Sequence, residues 1–299
     1  MKKSLTILAI ETSCDETAFS IVRDGKTLSH KVHSQIDVHA EFGGVFPALA
    51  KREHDRNFTP LLAATLKEAF GIESKTSDAE HPENKNLDEE ATTKMRAFLV
   101  REDNLAADLI SFFQNIPHED FIKLKSGDAS NALIDAIAVT YGPGLEPALW
   151  VGISGAKALA TALEKPLYPI NHMEGHIASV LASAHPSAEA TGPATIDFPA
   201  LALLISGGHT ELIAIDSWHS YQKIGQTVDD AVGEAYDKVA RLIGLPYPGG
   251  PHISKLAEKW RAEHADPSSA EQHRLFTLPR PMLHTKDYDF SFSGLKTAV

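Results

Sequence analysis

The sequence has a single cysteine, Cys14, in 299 residues. A lone thiol excludes an internal disulfide framework and any multi-cysteine metal site. Long apolar runs are also missing. No window approaches the roughly 18 uninterrupted apolar residues of a membrane-spanning helix. The first apolar run, Leu5 to Ile10, is too short for a signal-peptide core and meets Glu11 and Asp15 at once. A cytosolic, non-membrane protein is expected. A basic excess is missing too: Asp and Glu number 40 against 28 Lys and Arg, a net charge of −12. A protein that holds nucleic acid unaided usually carries positive charge, so a nucleic-acid partner would need a local patch or a helper protein. Half of the acidic excess lies between Glu73 and Asp128, with thirteen acidic against seven basic residues. The chain is 43% hydrophobic and 23% charged. That composition excludes global disorder, and the length predicts two domains rather than one core.

Alternation of apolar residues predicts three opening strands, at Leu5–Ile10, Thr17–Arg23 and Thr27–Ile36, with Asp24-Gly25 as a two-residue hairpin turn. Helical spacing follows in Phe58, Leu61, Leu62, Thr65, Leu66, Ala69 and Phe70, stopped by Gly71. Residues 73–131 break this rhythm. They open polar, continue with an amphipathic helix over Glu89–Phe113, and are expected to form a surface insertion, partly flexible. Strand Ala132–Tyr141, turn Gly142-Pro143-Gly144, helix Pro147–Leu163, strand Pro166–Ile170 and an Asn171-capped helix His172–Ala184 complete the first set. Ser187–Pro199 reads as a linker. A second hairpin follows, Leu201–Ile205 and Glu211–Ile215, and then helices Asp229–Ile243 and Gly250–His264. The opening pattern therefore recurs after residue 199. The expectation is an α/β protein of two copies of one fold, with domains at 1–190 and 199–299 and the second copy incomplete. The chain is expected to be cut short near Val299, leaving apolar surface around Phe290, Phe292 and Leu295 without cover.

Five stretches carry chemistry. Ser206-Gly207-Gly208-His209-Thr210 offers glycines that admit a ligand close to the backbone, plus hydroxyl donors, a combination suited to phosphate. Glu11-Thr12-Ser13-Cys14-Asp15-Glu16-Thr17 lies at the matching hairpin of the first copy. Its carboxylates repel a bare phosphate and imply a bridging cation or the reacting end of a substrate. His172 and His176, at i and i+4, share a helix face and can take one metal. The zinc-protease pattern needs Glu directly after the first His and is absent, which argues against hydrolysis by that route. Asp229 is a candidate N-cap, and Asp230, Glu234 and Asp237 form an acidic stripe beside a packed face of Ala231, Ala235, Val239 and Leu242. The Tyr247-Pro248-Gly249-Gly250-Pro251 turn can lie beneath a ribose or base.

Taken together and in order, these motifs resemble the universal family of tRNA N6-adenosine threonylcarbamoyltransferases, actin-like ATPase-fold proteins with ribonuclease H-like domains. Further matches are Ser34-Gln35 with His39, Gly43-Gly44-Val45, Gly142-Pro143-Gly144 and Phe290-Ser291-Phe292-Ser293-Gly294-Leu295-Lys296-Thr297. The resemblance implies transfer of the threonylcarbamoyl group from threonylcarbamoyl-AMP to N6 of the adenosine that follows the anticodon, in tRNAs reading codons that begin with adenine. It implies His172 and His176 as ligands of one divalent metal, Fe(2+) or Zn(2+). Leu204, Ile205, Ser206, Gly207, Gly208, Asp237 and Gly250 would bind the adenylate, with catalytic roles for Glu11, Ser13 and Asp15. Accessory proteins, an inactive paralogue and a small ATPase in bacteria, are implied as partners. Two departures accompany it. The family's third metal ligand, an aspartate, and an asparagine facing the adenosine lie past residue 299, so 1–299 by itself is expected to bind metal weakly and transfer little. The insertion is also longer than the family connection. Two alternatives are a non-catalytic actin-like binding fragment and an actin-like ATPase or sugar kinase. A kinase would have no use for two histidines on one helix face.

Overall fold

A computed structural model describes residues 4–74, 86–127, 132–183, 196–218, 220–263 and 277–299. The polar opening of the insertion, 75–85, and most of the expected linker lie outside them. Two compact units divide the chain: Met1–His39 with Val45–Gly175, and Ala40–Gly44 with His176–Val299.

The first unit is built on a five-stranded sheet of order β3-β2-β1-β4-β5. Strands β1 (Thr6–Glu11), β2 (Glu16–Arg23) and β3 (Lys26–Ser34) form an antiparallel meander. Asp24 and Gly25 both take positive φ, 50° and 79°, as the two-residue turn demands. Strands β4 (Ala136–Gly142) and β5 (Leu167–Asn171) add in parallel on the other side of β1. The register separates two faces. Leu8, Ile10, Phe19, Ile21, Ile137 and Val139 point into the core. Ala9, Glu11, Ala18, Ser20, Ala138 and Thr140 line the other face, around a cavity of about 160 Å³. Helices α2 (Pro47–Phe70) and α6 (Glu146–Leu163) cover the core face. Between β3 and α2 lies the short α1 (Ile36–Ala40). Helix α2 begins with Pro47 in its first turn, where a missing N–H is harmless, and ends at Gly71, whose N–H donates to Lys67 C=O.

The insertion departs from expectation. It is no surface decoration: helices α3 (Glu89–Phe98), α4 (Asp103–Asn115) and α5 (His118–Lys125) replace the single long helix and enter the core. Met95, Leu99, Leu105, Leu109, Phe113, Phe121 and Leu124 are buried in one cluster with the sheet residues. Phe113 meets Phe112 and Phe121 edge-on at 5.4 and 5.8 Å. Asn86 ties the end of α4, its amide donating to Phe113 O at 2.7 Å and Ile116 O at 2.9 Å. Among the described residues most charges of this segment lie outward, Glu102 being buried against Lys51, and the apolar stripes of α3 to α5 turn inward. An acidic average over a window hides this division.

The second unit repeats the meander in β6 (Ala200–Ile205), β7 (Thr210–Ser217) and β8 (Ser220–Gln226), in the order β6-β7-β8, all antiparallel. The third strand was not expected, because Ser220-Tyr221-Gln222-Lys223-Ile224-Gly225-Gln226 carries too few apolar residues to signal one. Helices α8 (Val232–Leu242) and α9 (Gly249–Glu263) follow, and α10 (Ser293–Ala298) closes the described chain. The fold is therefore α/β of the actin-like, ribonuclease H-like kind. The first unit carries both the meander and the parallel strands, and the described part of the second carries the meander. Phe290, Phe292 and Leu295 do not lack cover: all three are half-buried, and the two phenyl rings stack at 6.3 Å. Among the described residues an exposed apolar row runs along one face of β6, at the alternate residues Leu201, Leu203 and Ile205. Among the described residues, no helix is long and apolar enough to cross a membrane.

Candidate functional site

In the first unit, the last residue of β1 is Glu11, the connection to β2 carries Ser13 and Asp15, and the start of α7 (His172–Ser183) carries His172. Asn171 caps α7 as expected, its Oδ1 accepting the Met173 N–H at 2.8 Å. His172 Nδ1 lies 3.3 Å from Glu11 Oε2 and 3.2 Å from Ser13 Oγ. Glu11 also accepts the Ser13 N–H at 2.5 Å and the Thr140 hydroxyl. Burial pushes the Glu11 carboxyl up. Hydrogen bonds from His172, Ser13 and Thr140 together outweigh burial and hold its pKa at about 2. Glu11 is thus ionised and can only accept, so the His172 proton resides on Nδ1. This geometry suits Glu11 to orienting His172 and not to acting as a general acid.

Its neighbours behave differently. Burial, and then the charges of Asp15, Glu16 and Glu11, push the Cys14 thiol up to about 12, so Cys14 is no nucleophile at neutral pH. Burial and the adjacent Asp15 raise Glu16. Close packing fixes the backbone of this loop. A Cβ on Gly144 would stand 2.6 Å from Ser13 O, so only glycine lets the 142–144 turn lie against the loop. The Leu145 N–H donates to that same Ser13 carbonyl at 2.7 Å.

In the second unit, Ser206-Gly207-Gly208-His209 makes the tight connection between β6 and β7. Ser206 N–H donates to His209 O at 2.8 Å, and Ser206 Oγ accepts the His209 N–H at 3.0 Å. The first turn of α8 presses on this connection. Val232 N–H donates to Thr210 Oγ1 at 2.9 Å and Gly233 N–H to Ser206 O at 3.2 Å. A Cβ on Gly233 would meet Gly207 Cα at 2.8 Å. One turn further along α8, Asp237 Oδ1 accepts the Gly249 N–H at 2.7 Å, capping α9 beside Gly250. Helix α8 thus joins the Ser206–Gly208 connection to the Asp237–Gly250 pair. Leu204 is buried and Ile205 is exposed, because neighbouring strand residues face opposite ways.

The acidic residues here are not an unpaired stripe. Lys238 Nζ reaches Asp230 at 2.6 Å and Glu234 at 2.8 Å, and Lys296 reaches Asp230 at 2.8 Å. Nor does Asp229 cap its own helix, which starts at Val232. Its carboxylate accepts Ser291 Oγ at 2.5 Å, Ser293 Oγ at 2.6 Å and the Phe292 N–H at 2.7 Å, so it caps α10 across the sequence. Burial alone would raise the Asp229 pKa, but the Ser291 and Ser293 hydroxyls and these amides hold it well below the usual carboxylate range.

His172 and His176 lie one turn apart on α7, and the division between the units falls within that helix. Two imidazoles, one of them oriented through Nδ1 by a carboxylate, fit a metal's donor chemistry. Among the described residues no group of three or more His, Cys, Asp or Glu side chains is arranged to hold a metal.

A profile of the tRNA N6-adenosine threonylcarbamoyltransferases matches residues 26–79 and 123–299. The chain belongs to that family. Among its curated members, the Chromobacterium violaceum protein is 42% identical over 296 residues, covering 99% of this chain and 64% of that one. The Staphylococcus aureus (strain Newman) protein is 40% identical over 300 residues, covering 100% and 64%. The Paracidovorax citrulli protein is 39% identical over 305 residues, covering 100% and 65%. The chain therefore spans just under two thirds of the length of these relatives. Among solved structures, YeaZ from Pseudomonas aeruginosa shares 15% identity at a TM-score of 0.34, over 73% of this chain and 68% of that one. The Aquifex aeolicus PPX-GPPA enzyme shares 11% at 0.27, over 74% and 52%. These likenesses are slight, and the fold rests on the sheet topology above.

One residue of the first site gave no motif signal. His54 is fully buried on α2 and its Nε2 lies 3.0 Å from Cys14 O. Running the helical stripe back from Phe58 in a step of four reaches it, which is the signal that was there to read.

Proposed function

We propose that the protein containing these residues transfers threonylcarbamoyl from threonylcarbamoyl-AMP to N6 of the adenosine following the anticodon in tRNA. Family membership across both units carries this reading, and the clustering of Glu11, Ser13 and His172, from two of the motifs on which the resemblance rests, supports it. In this reading the domains divide at 1–190 and 199–299, and the protein works in the cytoplasm with tRNA, the adenylate and accessory proteins. The net charge of −12 supports the need for such helpers on a polyanion. His172 and His176 would hold a divalent metal, iron or zinc, whose chemistry when bound is that of a Lewis acid on an acyl oxygen. The chain's own groups do the rest. Glu11 holds the His172 ring by its Nδ1–H. Ser13 and Asp15 line the reacting end. Ser206, Gly207 and Gly208, with Leu204 and Ile205 behind them, position the phosphate side of the adenylate. Asp237 and Gly250 stand on its nucleoside side. Orienting the two reactants in this way can supply up to about 7–11 kcal/mol of the barrier reduction.

The test measures transfer of labelled threonylcarbamoyl from the adenylate to unmodified tRNA, with accessory proteins supplied, using the longest reading frame that contains these residues. Transfer that His172→Ala and His176→Ala abolish, with bound metal lost and melting temperature kept, is the expected result. Sugar phosphorylation from ATP in place of transfer would favour the kinase alternative, and stoichiometric metal in both variants would refute the ligand assignment.

A further inference from the structure

Three successive carbonyls of the loop after β1 each accept one hydrogen bond. Ser13 O accepts the Leu145 N–H at 2.7 Å and Asp15 O the Gln35 N–H at 2.9 Å. Cys14 O, between them, lies 3.0 Å from His54 Nε2. Two of these donors are main chain, which no substitution short of proline removes. The middle one is a side chain, and it reaches the loop from α2, on the opposite side from His172.

The direction of every proton behind His54 follows from one fixed donor. The Phe46 N–H donates to His39 Nδ1 at 3.3 Å, so that nitrogen is unprotonated and His39 carries its proton on Nε2. His39 Nε2–H then donates to Gln35 Oε1 at 3.1 Å. This fixes the Gln35 amide with its NH₂ toward His54, 3.4 Å from Nδ1. The Thr17 hydroxyl lies 2.7 Å from the same Nδ1. The Gln35 NH₂ can only donate and Cys14 O can only accept, so Nδ1 of His54 is unprotonated, its proton is on Nε2, pointed at Cys14 O, and the Thr17 hydroxyl donates to Nδ1. Thr17, Gln35, His39 and His54 are all fully buried, so no water competes for these bonds. Burial also holds the His54 pKa down, in keeping with a neutral ring.

We infer that His54, locked as the Nε2–H tautomer by the Phe46–His39–Gln35 relay, is a positioning residue for the Glu11–Asp15 loop, setting where Ser13 and Glu11 stand against His172. Its importance for catalysis rests on the transfer reading above, but its structural action does not. Two variants separate positioning from packing. His54→Gln keeps an N–H donor near the Nε2 position. His54→Asn places its amide nearer the Nδ1 position, opposite Thr17, and cannot reach Cys14 O. The expected results on the whole chain are these. Ring ¹⁵N shifts show both His54 and His39 as Nε2–H at neutral pH. Amide exchange at Leu145 and Gln35, the two neighbouring ties, quickens about tenfold in His54→Asn and less than about threefold in His54→Gln, as loss of one buried hydrogen bond requires. In the transfer assay, kcat falls in His54→Asn and recovers in His54→Gln, with KM little changed. An Nδ1–H ring at His54, or equal exchange in the two variants, overturns the inference. The predicted exchange pattern without transfer by any form would leave the role of His54 standing and sink the transfer reading.

Discussion

Gly155, in the middle of α6, gives the sharpest test of the packing that supports the first site. A Cβ placed there would stand 2.3 Å from Phe58 Cζ, 2.6 Å from Cε2 and 2.9 Å from Cε1. Carbon atoms in contact sit at about 3.5–4.0 Å. The ring would have to withdraw by about 1 Å, but it is fully buried and locked edge-on against Phe19 at 4.9 Å and 85°. Two effects of Gly155→Ala therefore oppose each other. Helix propensity favours alanine by about 1 kcal/mol. Overpacking costs about 1–3 kcal/mol, and three ring atoms below 3.0 Å put this site at the upper end. The net expectation is a loss of about 2 kcal/mol, a fall of roughly 4–8 °C for a unit of this size. Gly175→Ala on α7, where nothing lies within 4 Å of the added carbon, should change stability by less than about 1 kcal/mol. Urea unfolding of both variants measures the difference. Adding Phe58→Leu to Gly155→Ala should recover about 1 kcal/mol relative to the sum of the single changes, since the two residues share one volume. A stabilised Gly155→Ala protein, or strict additivity with Phe58→Leu, would refute the reasoning.

Phe113→Ala should destabilise the first unit by about 3–5 kcal/mol, because the ring is wholly buried between Phe112 and Phe121; a loss under about 1 kcal/mol in urea unfolding would return the insertion to the surface. Asp229→Ala should release α10, seen as faster amide exchange at Phe292 and Ser293, whose N–H groups it accepts. Asp229 and Asp230 both have folded pKa values below the ordinary 3.8, so their contribution is present above that value and fades as pH falls further toward their folded values. Exchange at those two amides should therefore rise on acidification below about pH 4 beyond the intrinsic rate, and a wild-type profile parallel to that of Asp229→Ala would contradict the cap.

Much of the frame is local in origin, and local signals showed it. Alternation set the meander β1 to β3, Asp24-Gly25 set its turn, and Asn171 set the start of α7. The fold class and family follow from such segments in order, and the members of the first candidate cluster, Glu11, Ser13 and His172, could be singled out because they stand in motifs. What failed to show has a common cause. The insertion was misjudged because its charge and its apolar residues alternate on the same helices, and only packing reveals which side turns inward. The capping role of Asp229 depends on Ser291 to Ser293, over sixty residues away. Strand β8 is held by pairing with β7, with little apolar pattern of its own.

His54 shows the division most plainly. Its place on the helical stripe follows from spacing, since each side chain four residues on returns to the same face. Its task does not. That depends on a proton whose position is dictated from Phe46 through His39 and Gln35, segments that meet it only when the chain closes on itself. Backbone propensity and hydrophobic period act over a few residues and are written in the order of the chain. A hydrogen bond between distant groups has a direction only once their neighbours are in place, and that the tertiary structure alone decided.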